Sequence, residues 1–220
     1  MDRRKITGYL GASLLAAACA AAPLGVQLET LRDGTISGSD GRKGKVFGEI
    51  CPAQGMDGKP ALLLKGPDAQ IELPYPGNPQ NVAFECWVKL PEKPVFRHIA
   101  RRRGKNNQWQ LFVAPAGNGE YSLYGMTWKQ SDGKENFSGR SPVRLTAGRF
   151  HHIAMELDGR KYGKLFIDGK EVFSAVPLNA LRTGSSSLTL GGGKAGESGD
   201  LILQEPIVYD SKLPENWPQR

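Results

Sequence analysis

The chain has 220 residues, 39% hydrophobic and 23% charged, with a formal net charge of +7. One domain of this size buries roughly 70% of its unfolded surface, so it holds a core without metal or disulfide. Gly 28 and Pro 15, with no long heptad-like stripe, exclude a coiled coil and favour many short strands joined by turns.

Residues 1–22 read as an export signal. Met1-Asp2-Arg3-Arg4-Lys5 is a basic start, a short and mildly apolar stretch follows, and then Ala-Ala-Ala-Cys-Ala-Ala-Ala. This is too short and too weakly apolar to span a membrane stably. Arg3-Arg4 resembles a twin-arginine signal, but Ile6-Thr7 stands where Phe-Leu is usual, so the general secretory route is equally open. Cys19, after Leu15-Ala16-Ala17-Ala18, resembles a bacterial lipobox, which would make it the lipidated first residue; ordinary cleavage nearby is the alternative. Acyl chains contribute ~0.8 kcal/mol per buried methylene, so several would anchor the protein to a membrane. The expected location is the periplasm or the cell surface. Loss of residues 1–18 removes three basic side chains and one acidic one, and the net charge falls from +7 to +5. The remaining cysteines are then Cys51 and Cys86. An oxidising compartment permits a bridge between them, closing about 35 residues and contributing ~3–4 kcal/mol. Two buried thiols are the alternative.

Residues 23–44 are polar, Gly-rich and charged, and read as a tether. Residues 45–50 make the first expected strand. Residues 61–64 and 70–73 flank an expected turn, Lys65-Gly66-Pro67-Asp68-Ala69, and Pro74, Pro76 and Pro79 mark a loop. Residues 82–89 form a strong strand candidate. Residues 98–101 and 109–113 flank a basic loop, and 121–128, 187–190 and 201–209 supply further strands. The expected domain runs over 45–213, with a tail at 214–220.

Two adjacent histidines, His151 and His152, invite a metal or catalytic reading. They lie in a β-compatible run, and successive strand side chains point to opposite faces, so the pair cannot chelate one ion. A structural, hydrogen-bonding role is expected. Asp168-Gly169 fits a two-residue hairpin turn with positive φ at both central residues.

Five segments in order resemble a laminin-G-like, concanavalin A-like jelly roll. They are 61–74, 82–89, the block from Phe150-His151-His152-Ile153-Ala154 to Asp168-Gly169-Lys170, Leu188-Thr189-Leu190-Gly191-Gly192, and 203–213. The match covers roughly residues 35–213 and implies an all-β fold of two antiparallel sheets. The His-His stretch then belongs to the scaffold. The chain departs from the family pattern at Phe150, where Trp is usual, and at Gln204, where Asp is usual. Pro206 stands in for an apolar strand residue, which implies a sheet edge or a bulge. Pentraxin-like relatives pair a cysteine at the position of Cys86 with one at Ala154, and that partner is absent here. Their calcium loop is rich in oxygen donors, whereas residues 191–200 hold few and include Lys194. No cofactor is therefore expected, with calcium elsewhere left open.

The same jelly roll hosts laminarinase-type hydrolases, which need two carboxyl groups about 5–5.5 Å apart. Glu156-Leu157-Asp158 begins such a pattern, but Gly159, Arg160 and Lys161 follow and no second Glu arrives. Gly191-Gly192-Gly193-Lys194 lacks the Ser/Thr and helix of a phosphate loop and reads as flexible. The chain is not expected to be an enzyme. Arg97, Arg101, Arg102, Arg103 and Lys105 form the strongest charge cluster; on a hairpin loop they would contact an anionic polysaccharide or simply stay solvated. Tyr124, Met126 and Trp128 share one strand face, which reads as core ahead of a sugar-stacking platform. A basic run with one Trp is insufficient for nucleic acid. The function this implies is an exported, non-catalytic module binding a glycan or an envelope partner, with a purely structural envelope module second.

Overall fold

Along residues 82–89, Val82, Phe84, Cys86 and Val88 alternate with Ala83, Glu85, Trp87 and Lys89, and the first set enters the hydrophobic core. The same two-residue period runs through residues 35–38 and 162–167. The structure, a computed structural model, describes residues 24–32, 35–76, 79–104, 107–129, 131–176, 179–195 and 199–217. For 24–32, 103, 104, 135, 185 and 186 it describes the backbone alone. The export signal and Cys19 lie outside the described residues.

The first strands are β1 (Leu24–Arg32), β2 (Thr35–Gly38), β3 (Lys43–Gln54) and β4 (Pro60–Pro74). Next come β5 (Asn81–Lys89), β6 (Arg97–Gly104), β7 (Trp109–Gly117), β8 (Glu120–Trp128) and β9 (Glu135–Thr146). The last are β10 (Phe150–Asp158), β11 (Tyr162–Ile167), β12 (Lys170–Ala175), β13 (Ser185–Gly191) and β14 (Leu201–Tyr209). One 3-10 turn at Met56–Gly58 is the only helical element among the described residues. All pairings are antiparallel, and the fold is the all-β sandwich that the resemblance implied.

One layer has the order β12-β11-β10-β5-β14, the other β13-β6-β7-β8-β9. β9 packs across the core against β11 and β12. β4 joins the layers: Leu62, Leu63 and Leu64 pair with β14, whereas Gln70 to Pro74 pair with β13. Residues 65–69 are thus the bend within one strand rather than a turn between two. β3 follows the bend by shifting register between Phe47 and Glu49. Gly48 sits there at φ 69°, and a Cβ on it would lie 2.8 Å from the Ala69 Cα. Left-handed strain of roughly 1–3 kcal/mol would add to a backbone clash. Gly48→Ala is therefore expected to cost about 2–4 kcal/mol in urea unfolding; an unchanged midpoint would show that the corner tolerates a side chain.

Several expectations need correction. Residues 24–38 are not a tether. β1 pairs with β14 at Leu24↔Val208 and Gly25↔Ile207, and Ile36 of β2 is in the core. Gly191-Gly192-Gly193 is no flexible loop: Gly192 and Gly193 donate their N–H groups to Ala69 O at 3.0 Å and Pro67 O at 2.8 Å, which ties them to the β4 bend. Cys51 is half-buried on β3 and Cys86 is in the core, and both are free thiols, so no bridge joins them. The Pro206 alternative resolves as a bulge. β14 is flanked by β5 on one side and by β1 and β4 on the other, and its register shifts between Gln204 and Ile207. Asp168 (φ 48°) and Gly169 (φ 78°) form the expected hairpin turn.

Candidate binding face

Strand β6 carries the basic cluster, and its alternation divides it. Arg97 and Arg102 are fully buried. Arg97 Nη1 donates to Gly66 O at 2.5 Å, and burial lowers the guanidinium's pKa despite nearby Asp200. Arg102 donates to Gln108 Oε1 at 2.6 Å and to Tyr75 O at 3.1 Å, and lies 4.8 Å from the centre of the Tyr75 ring. Neither meets solvent, so the expectation that both reach a ligand from a loop is wrong: these positions lie in a strand, facing inward. Arg101 points the other way, is half-buried, and donates to Gln70 Oε1 at 2.8 Å. The Arg103 backbone pairs with Ser187, its side chain is outside the description, and Lys105 lies outside the described residues.

On β8 Ser122 is buried, and so is the inward-facing set Tyr121, Leu123, Gly125 and Thr127. Tyr124, Met126 and Trp128 alternate with them and are partly exposed, so they lie on the outward face and not in the core. Pairing builds a row across four strands: His98, Phe112, Tyr124 and Arg140 are direct cross-strand partners. The Phe112 and Tyr124 rings stack at 5.0 Å with an interplanar angle of 3°. Phe96 packs on Phe112 at 5.1 Å, and Arg140 lies 5.7 Å from the Tyr124 centroid. A neighbouring row contains Arg101, Gln110, Met126 and Ser138. On the third, Arg144 is the partner of Ser122, and Arg140 and Arg144 both donate to the Ser122 hydroxyl.

The outer face of the second layer therefore combines an aromatic bed with three guanidinium groups, on Arg101, Arg140 and Arg144. Arg101, Tyr124 and Trp128 were legible as candidates. Arg140, Arg144, His98 and Phe112 were not, because only the register of β9, β8, β7 and β6 brings them together.

The Laminin_G_3 family model, described as the concanavalin A-like lectin/glucanases superfamily, matches residues 65–215. The chain belongs to the concanavalin A-like superfamily. A search of curated proteins finds no match. Similar solved structures include the binding domain of Paraclostridial Mosquitocidal Protein 1, with a TM-score of 0.67 at 13% identity, covering 87% of this chain and 49% of that one. The botulinum neurotoxin type G receptor binding domain matches with a TM-score of 0.64 at 13% identity, covering 89% and 48%. A botulinum neurotoxin type C structure, from a toxin that enters cells through interaction with two ganglioside molecules, matches at 0.65 and 11% identity, covering 87% and 48%. At this identity the likeness is one of fold, and the chain spans about half the length of each of these.

In this concanavalin A-like domain, the carboxylates lie on the first layer's outer face. Glu156 and Asp158 alternate onto it from β10, and Glu85 from β5. Glu156 accepts from the Tyr162 hydroxyl at 2.6 Å and from Leu213 N–H at 2.8 Å. Asp158 pairs with Lys212 at 2.9 Å. Glu85 accepts from the Tyr209 hydroxyl, from Trp217 Nε1 at 2.5 Å, and lies 3.1 Å from His152 Nε2. Residues 212–217, of which 214–217 belong to the expected C-terminal tail, thus run over these acids and occupy their oxygens. His151 is tied to Asp168 at 3.0 Å and accepts from Thr146 N–H at 3.0 Å, so the two histidines have separate hydrogen-bonding partners. Among the described residues, no group of three or more His, Cys, Asp or Glu side chains is placed to hold a metal.

Proposed function

We propose that the protein is an exported, non-catalytic binding module, lipid-anchored through Cys19, that holds an anionic glycan on the outer face of its second layer. One observation carries this reading: the His98–Phe112–Tyr124–Arg140 row flanked by Arg101 and Arg144. Aromatic edges offer an apolar bed to the C–H face of a sugar ring. Guanidinium forks pair bidentately with sulfate or carboxylate. The occupied carboxylates of the first layer favour binding over hydrolysis. Toxin binding domains that share the fold support a binding role in general terms, without indicating this face.

The test compares heparin, polygalacturonate and neutral dextran by titration calorimetry. Arg140→Ala/Arg144→Ala is expected to weaken binding of an anionic chain by about tenfold or more, with affinity falling as salt rises. Dextran should bind at least tenfold less tightly than the anionic chains. Equal affinity of the double variant and the parent would sink the proposed face. Absence of binding to both anionic chains would favour the second reading, an envelope protein module without a glycan.

A further inference from the structure

A cavity of about 230 Å³ lies on the opposite side of the molecule, on the outer face of the first layer. Trp87 of β5, Ile207 of β14 and Trp217 of the C-terminal segment form its apolar walls, with His152 between the two tryptophans. Trp87 and His152 stack at 4.8 Å, His152 and Trp217 lie 5.4 Å apart, and Phe166 meets Trp217 edge-on at 4.9 Å. At the mouth Lys59 and Glu205 form an ion pair at 3.3 Å, each about half exposed. The Glu85 carboxylate lies at the floor, where it anchors Trp217 and Tyr209.

We propose that this cavity is a binding site for one neutral pyranose ring. Size is the first reason: drug-sized ligands need roughly 300–1,000 Å³, so this space suits a single ring. Charge is the second. The accessible charged groups are one lysine and one glutamate, already paired, so a cation or an anion would meet like and unlike charge together. A polyol meets both favourably, because its hydroxyls donate to Glu205 and accept from Lys59. Shape is the third: partly exposed indole rings flank the space and offer faces to axial C–H groups. Glu85 holds the walls rather than the sugar, since its oxygens already accept from Tyr209 and Trp217 and pair with His152. The site is independent of the basic face, and it assigns the C-terminal segment a role: Trp217 supplies one wall.

The chain has four tryptophans, so a ¹⁵N spectrum of the full protein shows a small, assignable set of indole N–H signals. The probes are the methyl glycosides of glucose, galactose and N-acetylglucosamine. Saturable shifts are expected at Trp87 and Trp217 with at least one of them, while fully buried Trp109 stays fixed. Lys59→Ala/Glu205→Ala, at exposed positions, is expected to weaken binding about tenfold. Ile207→Phe fills the cavity while leaving the contacts of residues 212 and 213, and is expected to abolish the Trp87 shift; Trp217→Ala should do the same. Arg140→Ala/Arg144→Ala should leave the shifts intact, which separates this site from the basic face. No saturable shift with any of the three sugars overturns the proposal, as does a Trp87 shift that survives Ile207→Phe.

Discussion

Arg102→Met is expected to lower the free energy of unfolding by about 2–4 kcal/mol, and Arg101→Met by no more than about 0.5 kcal/mol. The two residues are adjacent and chemically identical. Arg102 is fully buried and feeds two acceptors, Gln108 Oε1 and Tyr75 O. Methionine keeps most of the stem volume but leaves both acceptors without that donor, at about 1–3 kcal/mol each, and removes the cation from the Tyr75 ring. Gln108 is itself held to Pro79 O at 3.1 Å, so the loss loosens the hold on Pro79 as well as on Tyr75. Burial lowers the Arg102 pKa to about 10, still far above neutrality, so the group stays charged in the fold. Arg101 is half-buried on the opposite face, and its bond to Gln70 Oε1 is one that water can partly replace. Affinity should invert the order: Arg101→Met weakens an anionic glycan about tenfold, and Arg102→Met leaves it unchanged while the protein is folded. Urea curves with coincident midpoints for the two variants would refute the division of β6 into two faces.

Glu85→Gln is expected to cost about 2–3 kcal/mol at neutral pH, and progressively less in acid. Burial pushes the Glu85 carboxyl up, but hydrogen bonds from His152, Tyr209 and Trp217 outweigh it and hold the group below the usual carboxylate range. The folded state therefore favours the ionised form. Its stabilisation is fully present above the ordinary carboxylate pKa and is lost as pH falls through the lowered value. Glutamine has no charge to lose, and its amide NH₂ must face one of the donors that the carboxylate served. The gap between the two proteins should therefore narrow as the solution is acidified. The indole signal of Trp217 should move towards that of an exposed ring in the variant, because its acceptor is weakened. A gap that stays constant from neutral to acid would show that Glu85 is not held ionised by this network.

Strand identity was readable because the apolar period is local. Residues 82–89 and 121–128 alternate so regularly that their strands follow from side-chain direction alone. The same rule placed Tyr124, Met126 and Trp128 on one face, yet it could not say which face was core. Both sides of β8 carry large side chains, and the choice depends on what packs above. Gly125 decides it: a Cβ there would lie 2.8 Å from Leu165 Cδ2 and 3.0 Å from Phe137 Cε1, so the opposite layer comes down on the Tyr121–Leu123 side. The basic run misled for a related reason. Consecutive charges suggest a loop, but in an interior strand they alternate between core and solvent.

The resemblance in 61–74, 82–89 and 150–170 was sufficient for fold and family, because such patterns record burial, and burial is a property of each residue with its near neighbours. The expectation of an export signal with a lipidated Cys19 likewise rests on local composition, and those residues lie outside the described ones. Register belongs to strands distant in the chain. It set Arg140 beside Tyr124 and Phe112, and it drew Trp217 back over Glu85 across 132 positions of sequence. A one-residue slip in any of these pairings would send the same side chains to the opposite face. Local chemistry thus determined that this chain is a β-sandwich, whereas the long-range hydrogen bonds of the sheets decided which arginines, rings and carboxylates share a face.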